Sequence, residues 1–123
     1  MPGRIILVVE DNPLNLELVR DLLEDDGFIV AAAETAEVGV RLTREISPDL
    51  VLMDVSLPGM DGLEAARAIK ADPLTCHTPV VALTAHAMKG DDRLAASAGC
   101  DGYLAKPINT RTFLNTVRTL ASA

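Results

Sequence analysis

Three features of the sequence predict an α/β fold with a parallel sheet covered by helices on both faces. Short aliphatic runs alternate with longer segments of helical period, five times along the chain. The runs are nearly continuous in Val, Ile, Leu and Ala, as strands buried on both faces require. Bulky side chains are scarce, with two Phe, one Tyr and no Trp against 17 Ala and 17 Leu. Small helix faces of this kind can lie close against a Val/Leu sheet, and βα repeats wind it with right-handed crossovers.

Each element has its own signal. Ile5–Val9 reads as the first strand. Asn12 is an N-cap candidate and Pro13 suits the first helical position, opening a helix through Asp25 with Leu18/Leu22 and Val19/Leu23 pairs. Gly27 ends it, and Phe28–Ala33 is the second strand. Thr35–Ile46 returns to helical period with Val38, Leu42 and Ile46 four apart, and Pro48 follows. Leu50–Met53 is the third strand. Pro58, Gly59 and Gly62 mark a loop, and Asp61 with Glu64 reads as a capping box for a helix over Leu63–Lys70. Val80–Leu83 is the fourth strand. Ala87–Ser97 is a weaker helix with Gly90 inside it. Gly99 and Gly102 bracket a turn before a short strand, Tyr103–Ala105, and a last helix begins at Asn109 or Thr110 with Phe113, Val117 and Ala121 on one face.

The chain has 123 residues, which predicts one domain over 1–123 with no separate output domain. Eighteen acidic residues against 11 basic ones give a net charge of −7, which argues against a nucleic-acid surface. No apolar stretch approaches the length of a membrane span, and the first residues lack a signal-peptide layout. Cys76 and Cys100 do not form a disulfide framework, so the expected compartment is the cytoplasm. Cys76 and His77 are neighbours without further ligands and do not make a metal site. Asp49 reads as a turn or N-terminal strand carboxylate after Pro48, and the Glu24–Asp26 run, Asp91 and Asp92 read as solvated surface.

In a parallel α/β sheet, sites form beyond the carboxyl ends of the strands. Glu10 and Asp11 follow the first strand, Asp54 the third, Thr84 the fourth and Lys106 the fifth. Three carboxylates facing one lysine need a further cation. An all-oxygen set suits Mg²⁺, with Mn²⁺ as a substitute, and disfavours zinc, since no His or Cys stands at useful spacing in this group. Asp11 and Asp54 can ligate directly, Glu10 through water, and the Ser56 backbone carbonyl can supply another oxygen. A carboxylate beside such an ion can attack a phosphoryl group and hold it as an acyl phosphate. Asp54 is the candidate nucleophile. Lys106, the Thr84 hydroxyl and the Ala85 N–H are candidates to hold the phosphoryl oxygens.

These residues, in the blocks Glu10-Asp11, Met53-Asp54-Val55, Pro58-Gly59-Met60-Asp61-Gly62, Ala82-Leu83-Thr84-Ala85 and Lys106-Pro107, resemble the receiver domain of two-component response regulators over essentially the whole chain. The resemblance implies a flavodoxin-like receiver fold: a five-stranded parallel sheet in order 2-1-3-4-5 with five flanking helices. It implies that Asp54 accepts a phosphoryl group from a histidine kinase or histidine phosphotransfer protein, with Glu10 and Asp11 as the acidic pair. Thr84 matches the hydroxyl switch residue, Tyr103 the aromatic that changes rotamer, and Lys106 the lysine. Ser56 and His86 match the side chains that modulate phosphoryl lifetime. Neither is a large amide or acid able to hold an attacking water strongly, so a long-lived acyl phosphate is expected. The stretches around Asp11–Asn15, Ala85–Asp91 and Ala98–Tyr103 are similar to single-domain cell-division and cell-fate regulators of alpha-proteobacteria, and also to receiver modules of hybrid kinases.

The implied partners are a kinase or phosphotransfer protein docking near Leu14 on the first helix, and a downstream signalling protein, with the domain itself a monomer or weak dimer. A terminal regulator and a relay intermediate both remain open. A turnover phosphohydrolase would need a substrate-selecting cap and a second general acid or base, and neither is present in the sequence. A nucleotide-binding flavodoxin-like protein would need a glycine-rich loop where Glu10-Asp11 stands.

Overall fold

A computed structural model describes residues 3–55, 62–84, 99–105 and 109–121. Five strands, β1 (Ile5–Val9), β2 (Ile29–Ala33), β3 (Leu50–Asp54), β4 (Val80–Thr84) and β5 (Gly102–Ala105), form one parallel sheet in the order β2-β1-β3-β4-β5. Four helices lie among the described residues: α1 (Pro13–Asp25), α2 (Ala36–Ile46), α3 (Gly62–Ala71) and α4 (Thr110–Ala121). The helix expected over Ala87–Ser97 and the Asp61 cap fall outside the described residues.

Side chains alternate across each strand, and the sheet thereby builds two cores. Ile6, Val8, Leu50, Leu52, Val81 and Leu83 face α1 and α4, where they meet Val19, Leu23, Phe113 and Val117. Leu7, Val9, Val51, Met53 and Val80 face α2 and α3, where they meet Ala36, Ala65, Ala66 and Ile69. Both Phe residues lie in the first core, so the second is built from small and aliphatic side chains. β3, flanked by β1 and β4, is buried along its whole length.

Two details depart from the periodicity. On α2 the fully buried positions are Ala36, Gly39 and Thr43, with Val38 and Leu42 packed at the side of the core. The reason is close approach: a Cβ at Gly39 would lie 2.7 Å from a Val9 methyl. The buried Thr43 hydroxyl donates to the Gly39 carbonyl at 2.7 Å, which satisfies it. On α1, Val19 and Leu23 turn inward while Leu14 and Leu18 stay 75% and 51% exposed.

Asp49 sits at the strand starts as expected, whereas Asp26, read as solvated, has a structural partner. Asp49 accepts from the Ile5 N–H at 2.7 Å and pairs with Arg4. Asp26, the C-cap of α1, accepts from Nε and one terminal nitrogen of the Arg118 guanidinium on α4, one on each carboxylate oxygen. That grip holds the Asp26 carboxyl below its ordinary range, chiefly through the hydrogen bond. Lys70 at the end of α3 donates to the Thr78 carbonyl at 2.7 Å and pairs with Asp101 at 2.7 Å. The same Asp101 oxygen accepts from the Val80 N–H at 2.9 Å, tying the start of β5 to β4.

Candidate functional site

The carboxyl ends of β1, β3 and β4 carry the polar residues buried at this edge of the sheet: Glu10 is 2% exposed, Asp54 3% and Thr84 5%. Each is placed by backbone pairing. The Glu10 N–H donates to the Ala33 carbonyl at 3.0 Å, which continues the β1–β2 ladder one residue past the strand. Asp54 is the last residue of β3, in register with Leu83, and the Val55 N–H donates to the Leu83 carbonyl at 2.9 Å. Thr84 closes β4 in register with Ala105.

Asp11 sits beyond β1 with its side chain exposed. Behind it Asn12 caps α1 as expected, its Oδ1 accepting from the Leu14 and Asn15 N–H groups at 2.9 and 3.2 Å. The Asn12 N–H in turn donates to Glu10 Oε2 at 3.4 Å, so the helix start and the acidic pair are joined. Carboxylate oxygens of Glu10, Asp11 and Asp54 all lie within 4.8 Å of one another. An octahedral Mg²⁺ with oxygens at about 2.1 Å sets its ligands roughly 3 to 4.2 Å apart. The spacing and the all-oxygen donor set therefore fit a hard divalent cation.

Tyr103 pairs with Ala82 in the β4–β5 register, and Ala105 with Thr84. In-register parallel partners project to the same face, as do residues two apart. Tyr103 and Thr84 therefore share one side of the sheet, and Tyr103 is half-buried there. Among the sequence-predicted site residues, Ser56, Ala85, His86 and Lys106 lie outside the described residues.

One residue at this site entered the sequence reading as a loop marker and as the end of the Pro58–Gly62 block, with no role at the site. Gly62 is the first residue of α3, and it packs on the backbone of Asp54 and Val55. No sequence signal separates such a contact from an ordinary turn glycine.

The response regulator receiver domain family matches residues 6–118. The chain belongs to that family. It is a receiver domain of two-component signalling, and its strand order is the one the sequence resemblance implied. It is similar to the polar-differentiation response regulator DivK of Brucella ovis, at 41% identity over 114 residues and 93% of each chain. Among solved structures it is similar to the receiver domain of a sensor histidine kinase from Pseudomonas aeruginosa, at 34% identity and a TM-score of 0.90, covering 98% of this chain and 99% of that one. That receiver was crystallised with magnesium coordinated in its active-site cleft. A chemotaxis response regulator of Vibrio cholerae aligns at 26% identity and a TM-score of 0.88, covering 95% of this chain and 98% of that one. No helix among the described residues is long and apolar enough to cross a membrane.

Proposed function

We propose that this receiver domain accepts a phosphoryl group on Asp54 from a phosphohistidine of a histidine kinase or phosphotransfer protein, and that the modification alters its surface for a downstream signalling protein. The observation that carries the reading is the convergence of Glu10, Asp11 and Asp54 at one sheet edge. Two of these carboxylates stand nearly buried at the ends of central strands. An Asp54 oxygen attacks phosphorus and a P–O bond forms as the P–N bond breaks. Its electron pair stays on the departing imidazole nitrogen, and that ring leaves neutral with the proton its other nitrogen already carries. Glu10, Asp11, Asp54 and the Ser56 carbonyl would hold Mg²⁺, which when bound neutralises charge on the phosphoryl oxygens. Lys106, the Ala85 N–H and the Thr84 hydroxyl are the groups of this chain proposed to hold those oxygens.

The output follows from β4 and β5. A phosphoryl group adds negative charge and acceptor oxygens. Thr84 moves toward them, and Tyr103, on the same sheet face, rotates into the space released. A local electrostatic event thereby biases a two-state surface. Donor docking uses α1, where Leu14 and Leu18 present exposed apolar side chains one turn apart beside Asp11. Ser56 and His86 leave an attacking water weakly held, which supports a long-lived acyl phosphate. The likeness to a polar-differentiation regulator supports a terminal role in cell-fate or cell-division signalling. The likeness to a receiver of a sensor kinase supports relay as the second reading.

The test is incubation with acetyl phosphate and MgCl₂, read by intact mass. Wild type gains one phosphoryl group; Asp54→Asn and an EDTA control do not. Equal gain in Asp54→Asn, or none in wild type, refutes the reading. Thr84→Ala is expected to take up phosphoryl yet lose the phosphorylation-dependent change in partner affinity. A phosphorylation-dependent change in partner affinity in that variant equal to that of wild type would refute the switch.

A further inference from the structure

We infer that Gly62 is a positioning residue for the phosphoacceptor, an inference that rests on the phosphoryl-acceptor reading of Asp54. A Cβ at position 62 would lie 2.4 Å from the Asp54 carbonyl oxygen, 2.7 Å from the Val55 Cα and 2.9 Å from the Asp54 carbonyl carbon. All three are backbone atoms, so no side-chain rotation relieves the overlap. The contact differs in kind from Gly39, where the nearest neighbours of an added Cβ are side-chain atoms of Val9.

The Asp54–Val55 peptide is thus held from two directions. On one side the Val55 N–H is bonded to the Leu83 carbonyl of β4 at 2.9 Å. On the other, the start of α3 rests on the Asp54 carbonyl with no side chain between. A methyl group at 62 has two ways to be accommodated. Withdrawing α3 would open the core around Ala65, Ala66 and Ile69, all 0% exposed. Rotating the Asp54–Val55 peptide strains the Val55–Leu83 hydrogen bond and leaves that core closed. The second is the softer response, and it turns the chain at Asp54 itself. The carboxylate then leaves the arrangement in which its oxygen lies within 4.8 Å of those of Glu10 and Asp11. Displacements of about 1 Å at a reacting group cost on the order of a hundredfold in rate. Gly62 therefore acts through the backbone on the geometry of the acceptor.

The experiment compares wild type, Gly62→Ala and Gly99→Ala. Gly99 precedes β5 at the opposite edge of the sheet, has φ +90°, and its added Cβ would meet the Lys70 side chain at 2.9 Å. It is a control for lost stability without a change at Asp54. Mg²⁺ affinity is read by calorimetric titration, phosphorylation rate by intact mass at saturating Mg²⁺ and acetyl phosphate, and stability by urea unfolding. Gly62→Ala is expected to lose between roughly tenfold and a hundredfold in Mg²⁺ affinity and in saturated rate, per folded molecule. Gly99→Ala is expected to lose stability and keep wild-type values of both. Wild-type Mg²⁺ affinity and rate in Gly62→Ala, or equal losses in Gly99→Ala, would overturn the inference. If Gly62→Ala unfolds in buffer, the titration is repeated in trimethylamine N-oxide, which favours the compact state; failure to fold there makes Gly62 a folding requirement and also overturns it. If wild type takes up no phosphoryl group, the functional reading fails while the Mg²⁺ titration still decides the role of Gly62.

Discussion

Replacing Asp54 by Asn should stabilise the metal-free protein. Oxygens of Glu10, Asp11 and Asp54 lie within 4.8 Å of one another, and two unit charges at that separation repel by about 3.5 kcal/mol at an effective dielectric near 20. Asp11 is exposed, so its share is screened by solvent and salt. Asn keeps the shape of the side chain while removing one charge from the group. The repulsion relieved is then about 1–3 kcal/mol, or roughly 4–12 °C in melting temperature for a domain of this size. The assay is thermal unfolding by circular dichroism at low ionic strength, in EDTA and in MgCl₂. In EDTA the variant melts above wild type. Mg²⁺ at a hundred times its dissociation constant stabilises wild type by about 2.7 kcal/mol, so the gap closes or reverses when the metal is added. Added NaCl narrows the EDTA gap. A variant that melts at or below wild type in EDTA would refute the view that these carboxylates are held together against their repulsion.

Other consequences follow from the cores and the α1–α4 contact. Phe113, 0% exposed between α4 and the sheet, should cost about 3–5 kcal/mol when cut to Ala, read as a lower urea midpoint; a loss under 1 kcal/mol, an order-of-magnitude bound for surface changes, would mean the site is not packed. Arg118→Met should lower stability at neutral pH. Because the Asp26 carboxyl sits below its ordinary value of 3.8 in the folded state, this contribution is present above that value and is lost as pH falls through the folded one. The gap between the two proteins in urea midpoint should therefore shrink in acid, and a constant gap would refute the pairing. Cys100 is half-buried and its thiol is pushed up, first by burial and then by Asp101, whereas Cys76 is exposed. Iodoacetamide at mildly alkaline pH should label Cys76 well before Cys100, and equal rates by peptide mapping would contradict that placement.

The strands were legible because burial on both faces leaves a plain mark, a continuous aliphatic run, and all five fall within one residue of their expected bounds. The Asn12 cap was legible because capping is local chemistry between an Asn oxygen and N–H groups two and three residues on. The placement of Glu10, Asp54 and Thr84 at one edge was legible for a related reason: each directly follows a buried aliphatic run, and parallel strands end on the same side. The α2 helix was legible from Val38, Leu42 and Ile46, and Val38 and Leu42 do pack against the core; that its innermost positions are Ala36, Gly39 and Thr43 was not, because close packing on Val9 selects Gly39. Asp26 looked like a solvated acid because its partner stands far away in the chain; Arg118 is 92 residues from Asp26.

The order of elements, the faces of the strands and the chemistry gathered at one edge were thus dictated locally, by periodicity, capping and the rule that parallel strands end together. Distances between segments were not. Glu10, Asp11 and Asp54 come within 4.8 Å of one another only when β1 and β3 pair in register, and Gly62 meets the Asp54 carbonyl only when α3 folds back onto β3. Lys70 finds Asp101 across a gap of 31 positions, a contact that no pattern along the chain encodes. Such contacts depend on how closely two packed layers approach, and that distance is set by the volumes of every side chain between them.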